Sequence, residues 1–349
     1  MKILIITKNW LGDILFQLPA IEAIKRFSPT AEIVCMAPER CREILEAHPA
    51  VSRVIAFDEK GEHRSLWAKI GLIGQLRREK WDRAYLFHRS RTRAALMWLA
   101  GVRERIGYAH GRRLFLTTAI EEPQQRMHHV DYALAFVKQA GISTVQSSRY
   151  RFYFSALCRQ QAAVLLQEYE VRPRNFMCFH IGANWEPKRW PASHFAELAD
   201  LIGTQWNIPI LVTGAGRDKE LAGEVTQRVK QARVLSLVGK TSLGTLGALY
   251  EQALLLVSGD SGPMHIASGV GTPVLALFGP TDPALTGPRG VGQTAVLQYI
   301  PEGYHTPWLG KNLPEGGWVS HITPQQVIAA IKEKGWMESG WKLQNESLS

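Results

Sequence analysis

The stretch Val257-Ser258-Gly259-Asp260-Ser261-Gly262-Pro263-Met264-His265-Ile266-Ala267 is an apolar strand that runs into a glycine turn and straight on into a helix. The first amides of such a helix, from Ser261 and Gly262, point into a crevice, where the helix dipole favours an anion. His265, one turn in, is placed to face the same ligand. A plainer reading stands beside this one: Asp260 or Ser261 only caps the helix, and His265 packs in a core.

The same alternation extends in both directions. Upstream and downstream of the glycine turn, strands are expected at 176–181, 209–213, 234–237, 254–258 and 273–278, with helices at 193–204, 219–230, 243–252 and 263–268 between them. The first half repeats the scheme, with strands at 2–7, 32–37, 53–57, 83–87 and 105–108 and helices at 13–27, 39–47, 66–80 and 92–99. Short, continuous apolar strands separated by helices mean βαβ units and parallel sheets covered on both faces. The fold class is therefore α/β, two doubly wound halves. The expected divisions are 1–170, 171–322 and a terminal helix with tail, 323–349, joined where Val171-Arg172-Pro173-Arg174 interrupts a helical pattern. Thr323 is the expected N-cap of that terminal helix. The Gly/Pro/Trp-rich stretch 301–318 reads as a long loop.

Composition narrows the function. At 349 residues, 46% hydrophobic and 21% charged, the chain is neither disordered nor fibrous. Its longest apolar stretches, such as 94–102, fall short of the ~20 residues of a bilayer span. The polar Asn9, Gly12 and Asp13 come too early for an export signal. Four cysteines form neither a disulfide framework nor a CxxC pair, and a soluble protein of the reducing cytoplasm is expected. Net charge is 41 − 31 = +10, and thirteen basic against four acidic residues between Gly61 and Arg113 give that stretch +9. Such a cluster suits an anionic partner: a membrane surface, a phosphorylated glycan or, least well, a nucleic acid, for which no recognition motif is present. Solvated helix faces would account for any single arginine.

Ligands bind at the carboxyl ends of strands in such folds, so the loops there carry the candidates. After the first strand comes Thr7-Lys8-Asn9-Trp10-Leu11-Gly12-Asp13. Gly12 permits close backbone approach, and Asp13 is either a helix cap or a carboxylate able to serve as a general base. After Phe179-His180-Ile181, Glu186-Pro187-Lys188-Arg189-Trp190-Pro191 sets two cations between prolines and tryptophans. Either these are solvated, or they neutralise a departing phosphate. Thr213-Gly214-Ala215-Gly216 starts a dinucleotide fingerprint that Lys219 leaves incomplete, a weak signal for NAD.

Asn9-Trp10-Leu11-Gly12-Asp13, Lys188-Arg189-Trp190-Pro191, Asp260-Ser261-Gly262-Pro263-Met264-His265 and Phe278-Gly279-Pro280-Thr281 together resemble the ADP-heptose:lipopolysaccharide heptosyltransferases of glycosyltransferase family nine, the heptosyltransferase II branch most of all. Each motif is modest alone, but the four occur in the family's order across nearly the whole chain. The resemblance implies a GT-B fold, two Rossmann-like domains facing across a cleft, and inverting transfer of L-glycero-D-manno-heptose from ADP-heptose to the lipopolysaccharide inner core. Asp13 would be the general base. Lys188 would contact the diphosphate, with Asp260, Ser261, Gly262 and His265, and less directly Thr213 and Gly214, on the sugar-nucleotide side. Asn9, Trp10, Gly12, Arg89, Arg91 and Arg93 would meet the acceptor. The enzyme would sit peripherally on the anionic cytoplasmic face of the inner membrane. No Asp-x-Asp pair lies in a suitable loop, so neither metal nor other cofactor is expected. Three other readings compete: a GT-B enzyme that uses another nucleotide sugar or inner-core acceptor, or a GT-B-like epimerase; a nicotinamide oxidoreductase, which the first loop's missing glycine fingerprint disfavours; and a non-catalytic protein that binds anionic ligands through the arginine cluster.

Overall fold

Ile3 to Ile6 and Leu255 to Val257 are completely buried, as central strands of a parallel sheet must be when helices cover both faces. The computed structural model of the chain describes residues 1–59, 61–143, 147–304 and 317–337, in two units, Met1–Tyr150 and Arg151–Ser349. The first unit contains β1 (Lys2–Ile6), β2 (Glu32–Ala37), β3 (Arg53–Ala56), β4 (Arg83–Leu86), β5 (Glu104–Tyr108) and β6 (Thr118–Ile120), all parallel in the order β3-β2-β1-β4-β5-β6. The second contains β7 (Met177–His180), β8 (Ile210–Thr213), β9 (Val234–Ser236), β10 (Leu255–Gly259), β11 (Val274–Phe278) and β12 (Thr294–Gln298). These are also parallel, in the order β12-β11-β10-β7-β8-β9. Read from its own first strand, each sheet has the doubly wound order 3-2-1-4-5-6. Strand order reverses between β1 and β4 in one unit and between β7 and β10 in the other, the kind of position at which doubly wound sheets bind ligands.

Three expectations are corrected. The chain divides after Tyr150 rather than near 170, because the helix Ala156–Glu168 packs on the helix Leu243–Glu251 and Phe152 N–H donates to Gly269 O at 3.0 Å. The expected helix at 13–27 is two, Leu11–Leu15 and Leu18–Phe27. Pro19 has no N–H to give, and its ring collides with the carbonyl four residues back, so the helix must restart. The terminal helix, Pro324–Glu333, packs against the helix Ala192–Trp206 and so belongs to the second unit. Its cap is as expected: Thr323 Oγ1 accepts from Gln326 N at 3.2 Å, and Gln326 Oε1 accepts from Thr323 N at 2.8 Å. Most of the 301–318 loop and the tail from 338 lie outside the described residues. No helix of the described residues is long and apolar enough to cross a membrane.

Candidate functional site

In the first unit, the loop leaving β1 delivers Lys8, Asn9 and Asp13 to the switch point. Asp13 does not cap its helix. Trp10 holds the N-cap position, and Asp13 lies in the first turn, where a negative charge meets the positive end of the dipole. Its Oδ1 accepts from Lys8 Nζ at 3.0 Å and stands 3.6 Å from His129 Nδ1, at the start of the helix His129–Gln139. Burial opposes its ionisation, but Lys8 and His129 outweigh it and hold the carboxyl well below the usual range. Gly12 is an ordinary helical residue rather than a tight turn.

The neighbouring groups form one network. Asn9 Oδ1 accepts from Arg93 at 2.6 Å, its Nδ2 faces His88 Nε2 at 3.1 Å, and its carbonyl accepts from Arg40 at 2.6 Å. His88, directly after β4, accepts from Ser90 N–H at Nδ1, 3.0 Å. Burial, then the cations Arg93, Arg112 and Lys8, push its pKa down to about 3, so it is neutral. Arg89 donates to Tyr132 Oη at 2.8 Å and pairs with Glu122 at 2.8 Å. Arg91 is exposed. Arg93 is not: it is buried, donating to Thr7 O at 3.0 Å and stacking over Phe57. Arg112 is equally buried, wrapped by the carbonyls of Tyr108 and His88. Both shape the β1 and β4 loops, which corrects the expectation that Arg93 presents its charge to an acceptor. Trp10 is exposed, with the Arg40 guanidinium 5.4 Å from its ring centre.

In the second unit, three adjacent strands, β7, β10 and β11, contribute one residue each. Lys188 Nζ donates to Asp260 Oδ2 at 2.5 Å, and Thr281 Oγ1 donates to the same oxygen at 2.6 Å. Asp260 is only 9% exposed, while Lys188 keeps about a fifth of its side chain in solvent (22%). The loop holding Lys188 is pinned at both ends. Arg189 folds back onto Ala183 O at 3.1 and 3.2 Å, and the buried Trp190 donates Nε1 to Ile322 O at 2.8 Å. Gly259 makes the approach possible: a Cβ there would stand 2.5 Å from Lys188 O. Ser261 takes the N-cap position of the helix Gly262–Val270 but makes no side-chain cap bond; its Oγ instead meets Ser258 Oγ at 3.0 Å. The simple capping reading of Asp260 and Ser261 therefore fails, and the helix's leading amides carry no side-chain cap. A lysine beside an uncapped helix N-terminus is an arrangement that can hold an anion.

The residues 70–311 match the family model of glycosyltransferase family 9 (heptosyltransferase). The chain belongs to glycosyltransferase family 9. A lipooligosaccharide heptosyltransferase 2 of Haemophilus influenzae is 29% identical over 95% of this chain and 99% of its own. A family 9 glycosyl transferase from Veillonella parvula superposes with a TM-score of 0.87 at 25% identity, over 97% of each chain. The Escherichia coli ADP-heptose lipopolysaccharide heptosyltransferase II does so with a TM-score of 0.79 at 27% identity, over 99% of this chain and 100% of that one. The two six-stranded parallel sheets are thus the GT-B fold of family 9 enzymes, and this protein is a glycosyltransferase.

Two residues expected on this family 9 enzyme's sugar-nucleotide side have buried side chains. Thr213 Oγ1 bonds Phe179 O at 3.2 Å and Tyr250 Oη at 2.8 Å, with His180 Nδ1 at 3.2 Å. Burial pushes His180 down to about 4. His265 is buried as well. Gly214 faces inward to Asp218, 3.1 Å from where its Cβ would be. Other residues of the first site escaped the sequence reading: Arg40, His88, Glu122, His129 and Tyr132. His88 alone was within reach, since it directly follows an expected strand at the switch point.

Proposed function

We propose that this family 9 enzyme moves a heptose from ADP-heptose to the lipopolysaccharide inner core, with inversion, as a heptosyltransferase of the second type. The observation that carries the reading is the Lys188 ammonium standing beside the uncapped helix N-terminus after β10. A leaving diphosphate develops charge that a lysine and bare amides stabilise as the glycosidic bond breaks. The donor comes from the E. coli and H. influenzae relatives, whose names state ADP-heptose and heptosyltransferase 2.

Asp13 is the base. Its lowered pKa keeps it ionised at any working pH, and it is correspondingly weak as a base. It therefore takes the acceptor proton late, once the hydroxyl oxygen has begun to bond to the anomeric carbon and has become acidic. Lys8 and His129 orient the carboxylate. Protein cations offset the diphosphate charge, so no metal takes part. Arg89, Arg91, Asn9 and Trp10 meet the anionic, lipid-bearing acceptor at the cytoplasmic face of the inner membrane. Calorimetric titration with ADP, UDP, GDP and NAD, without added metal, tests the reading. Selective ADP binding supports it, selective UDP or GDP binding moves the donor elsewhere, and NAD binding or silence overturns it.

A further inference from the structure

Hydrogen-bond donors outnumber acceptors at the switch point of the first sheet. Ser90 N–H donates to His88 Nδ1 at 3.0 Å, so that nitrogen carries no proton, and the neutral ring holds its proton on Nε2. Asn9 is fixed as firmly. Arg93 Nη2 donates to its Oδ1 at 2.6 Å, which turns the amide nitrogen towards the ring. Asn9 Nδ2 and His88 Nε2 therefore face each other at 3.1 Å as two donors, with no lone pair between them. Turning the amide over would only set Nδ2 against the Arg93 guanidinium. The acceptors around them are already engaged: Thr7 O by Arg93, His88 O by Arg112, Asn9 O by Arg40 and the Asp13 carboxylate by Lys8.

The missing acceptor comes from a ligand. Asn9 and His88 are both partly exposed, just past the carboxyl ends of β1 and β4, where doubly wound sheets receive ligands. Two donors 3.1 Å apart both reach one oxygen at about 2.9 Å, which closes a nearly equilateral triangle. Among the charges acting on His88, Arg93, Arg112 and Lys8 outnumber Asp13, which favours an oxygen that bears negative charge. We propose that His88 Nε2–H and Asn9 Nδ2–H together grip one carboxylate or phosphate oxygen of the acceptor, making His88 a specificity-determining residue beside Asp13. The proposal deepens the reading of an anionic acceptor and rests on it, though the donor pair can be tested without any transfer.

Nitrogen NMR of the full chain with labelled histidine should find the His88 proton on Nε2 at neutral pH. Inorganic phosphate and acetate should shift that resonance, and they decide the subsite even if the acceptor is of another kind. Calorimetry then follows binding of lipopolysaccharide truncated before the transferred sugar. His88→Phe, which removes the donor, should weaken it about tenfold, the worth of one hydrogen bond to a charged group. His88→Gln, whose amide can donate from the same place, should return most of that loss. The penalty in His88→Phe should vanish for dephosphorylated acceptor if the oxygen is a phosphate's, and for acceptor with its carboxyls reduced to alcohols if it is a carboxylate's. ADP affinity stays at the wild-type value in both variants, which checks folding and keeps this test separate from that of the donor. A His88 protonated at Nδ1, an Nε2 resonance indifferent to both small anions, a His88→Phe protein that binds the acceptor like wild type, or a penalty that persists with both altered acceptors would each overturn the proposal.

Discussion

Replacing Lys188 with alanine should damage stability and ADP binding separately. The stability loss follows from Asp260, a 9% exposed carboxylate that loses its 2.5 Å cation and keeps only Thr281. Breaking a fully buried pair costs about 3–5 kcal/mol and a surface pair about 0–1. One end here is buried and the other partly wet, so about 2 kcal/mol is expected. In a unit of this size that lowers Tm by roughly 4–8 °C. Adding Asp260→Asn should return much of the loss, because a neutral amide oxygen still accepts the Thr281 hydroxyl. The binding loss follows from one charge-assisted contact to the diphosphate, about 1.5–3 kcal/mol, or roughly ten- to a hundredfold in ADP Kd. Adenosine, which lacks the diphosphate, should bind Lys188→Ala as it binds wild type. Calorimetry with both ligands and thermal melts of the three proteins separate the effects. Equal losses for ADP and adenosine would refute the phosphate contact, and an unchanged Tm would refute the energetic account of the pair.

Asp13→Asn should lower turnover by about 10²–10⁴ with ADP affinity intact; near-normal turnover in a coupled ADP-release assay removes the base. The wild-type pH profile should show no acid limb from Asp13 down to pH 4, since Lys8 and His129 hold its carboxyl below the usual range; an Asp13-dependent limb near pH 5 contradicts this. Stability should fall on acidification for a different reason. His180, at about 4 against an ordinary 6.5, is neutral when folded and takes a proton when unfolded, so lowering pH favours the unfolded chain. That loss begins near pH 6.5 and reaches about 3 kcal/mol at pH 4. Asp13 has the opposite sign, its contribution being present above 3.8 and lost only below it. His88, held neutral in the same way, acts with the same sign, so melts between pH 7 and 4 should lose part of their slope in His180→Gln, and an equal slope in the variant assigns the acid sensitivity elsewhere. Reversing Arg89 and Arg91 should raise the acceptor KM and reduce its dependence on salt; an unchanged KM returns both to solvated roles.

Central strands were legible because burial on both faces forces unbroken apolar runs, as in Lys2–Ile6 and Val274–Phe278. The edge strands β6 and β12 were not: one has three residues, and the other alternates half-buried and exposed positions. The helix His129–Gln139 escaped notice although Val130, Ala133, Leu134 and Val137 repeat at helical spacing. In the site, Lys188 and Asp260 were readable from loop composition and prove to be partners. That Arg93, Thr213 and His265 are buried was not legible, because residue type gives chemistry, while the direction of a side chain depends on packing that no local pattern carries. Arg93 could pass for a surface charge only because Thr7 O and Asn9, its acceptors, lie more than eighty positions away.

The two units repeat one strand order, yet their switch points have diverged in what they leave open. Between β1 and β4, Arg93 bridges the reversal through Asn9 and the Thr7 carbonyl, and Asn9 faces His88. The ion pair beside them, Lys8 with Asp13, has His129 as a further neighbour of its carboxylate. Between β7 and β10 the bridge is a single ion pair, and its carboxylate is a place-holder: a diphosphate can trade with Asp260 for the same ammonium, anion for anion, while Thr281 keeps the displaced carboxylate company. On the proposed reading, one strand order thus serves two ends: a half whose carboxylate is held between Lys8 and His129, and a half whose ammonium can trade one anion for another.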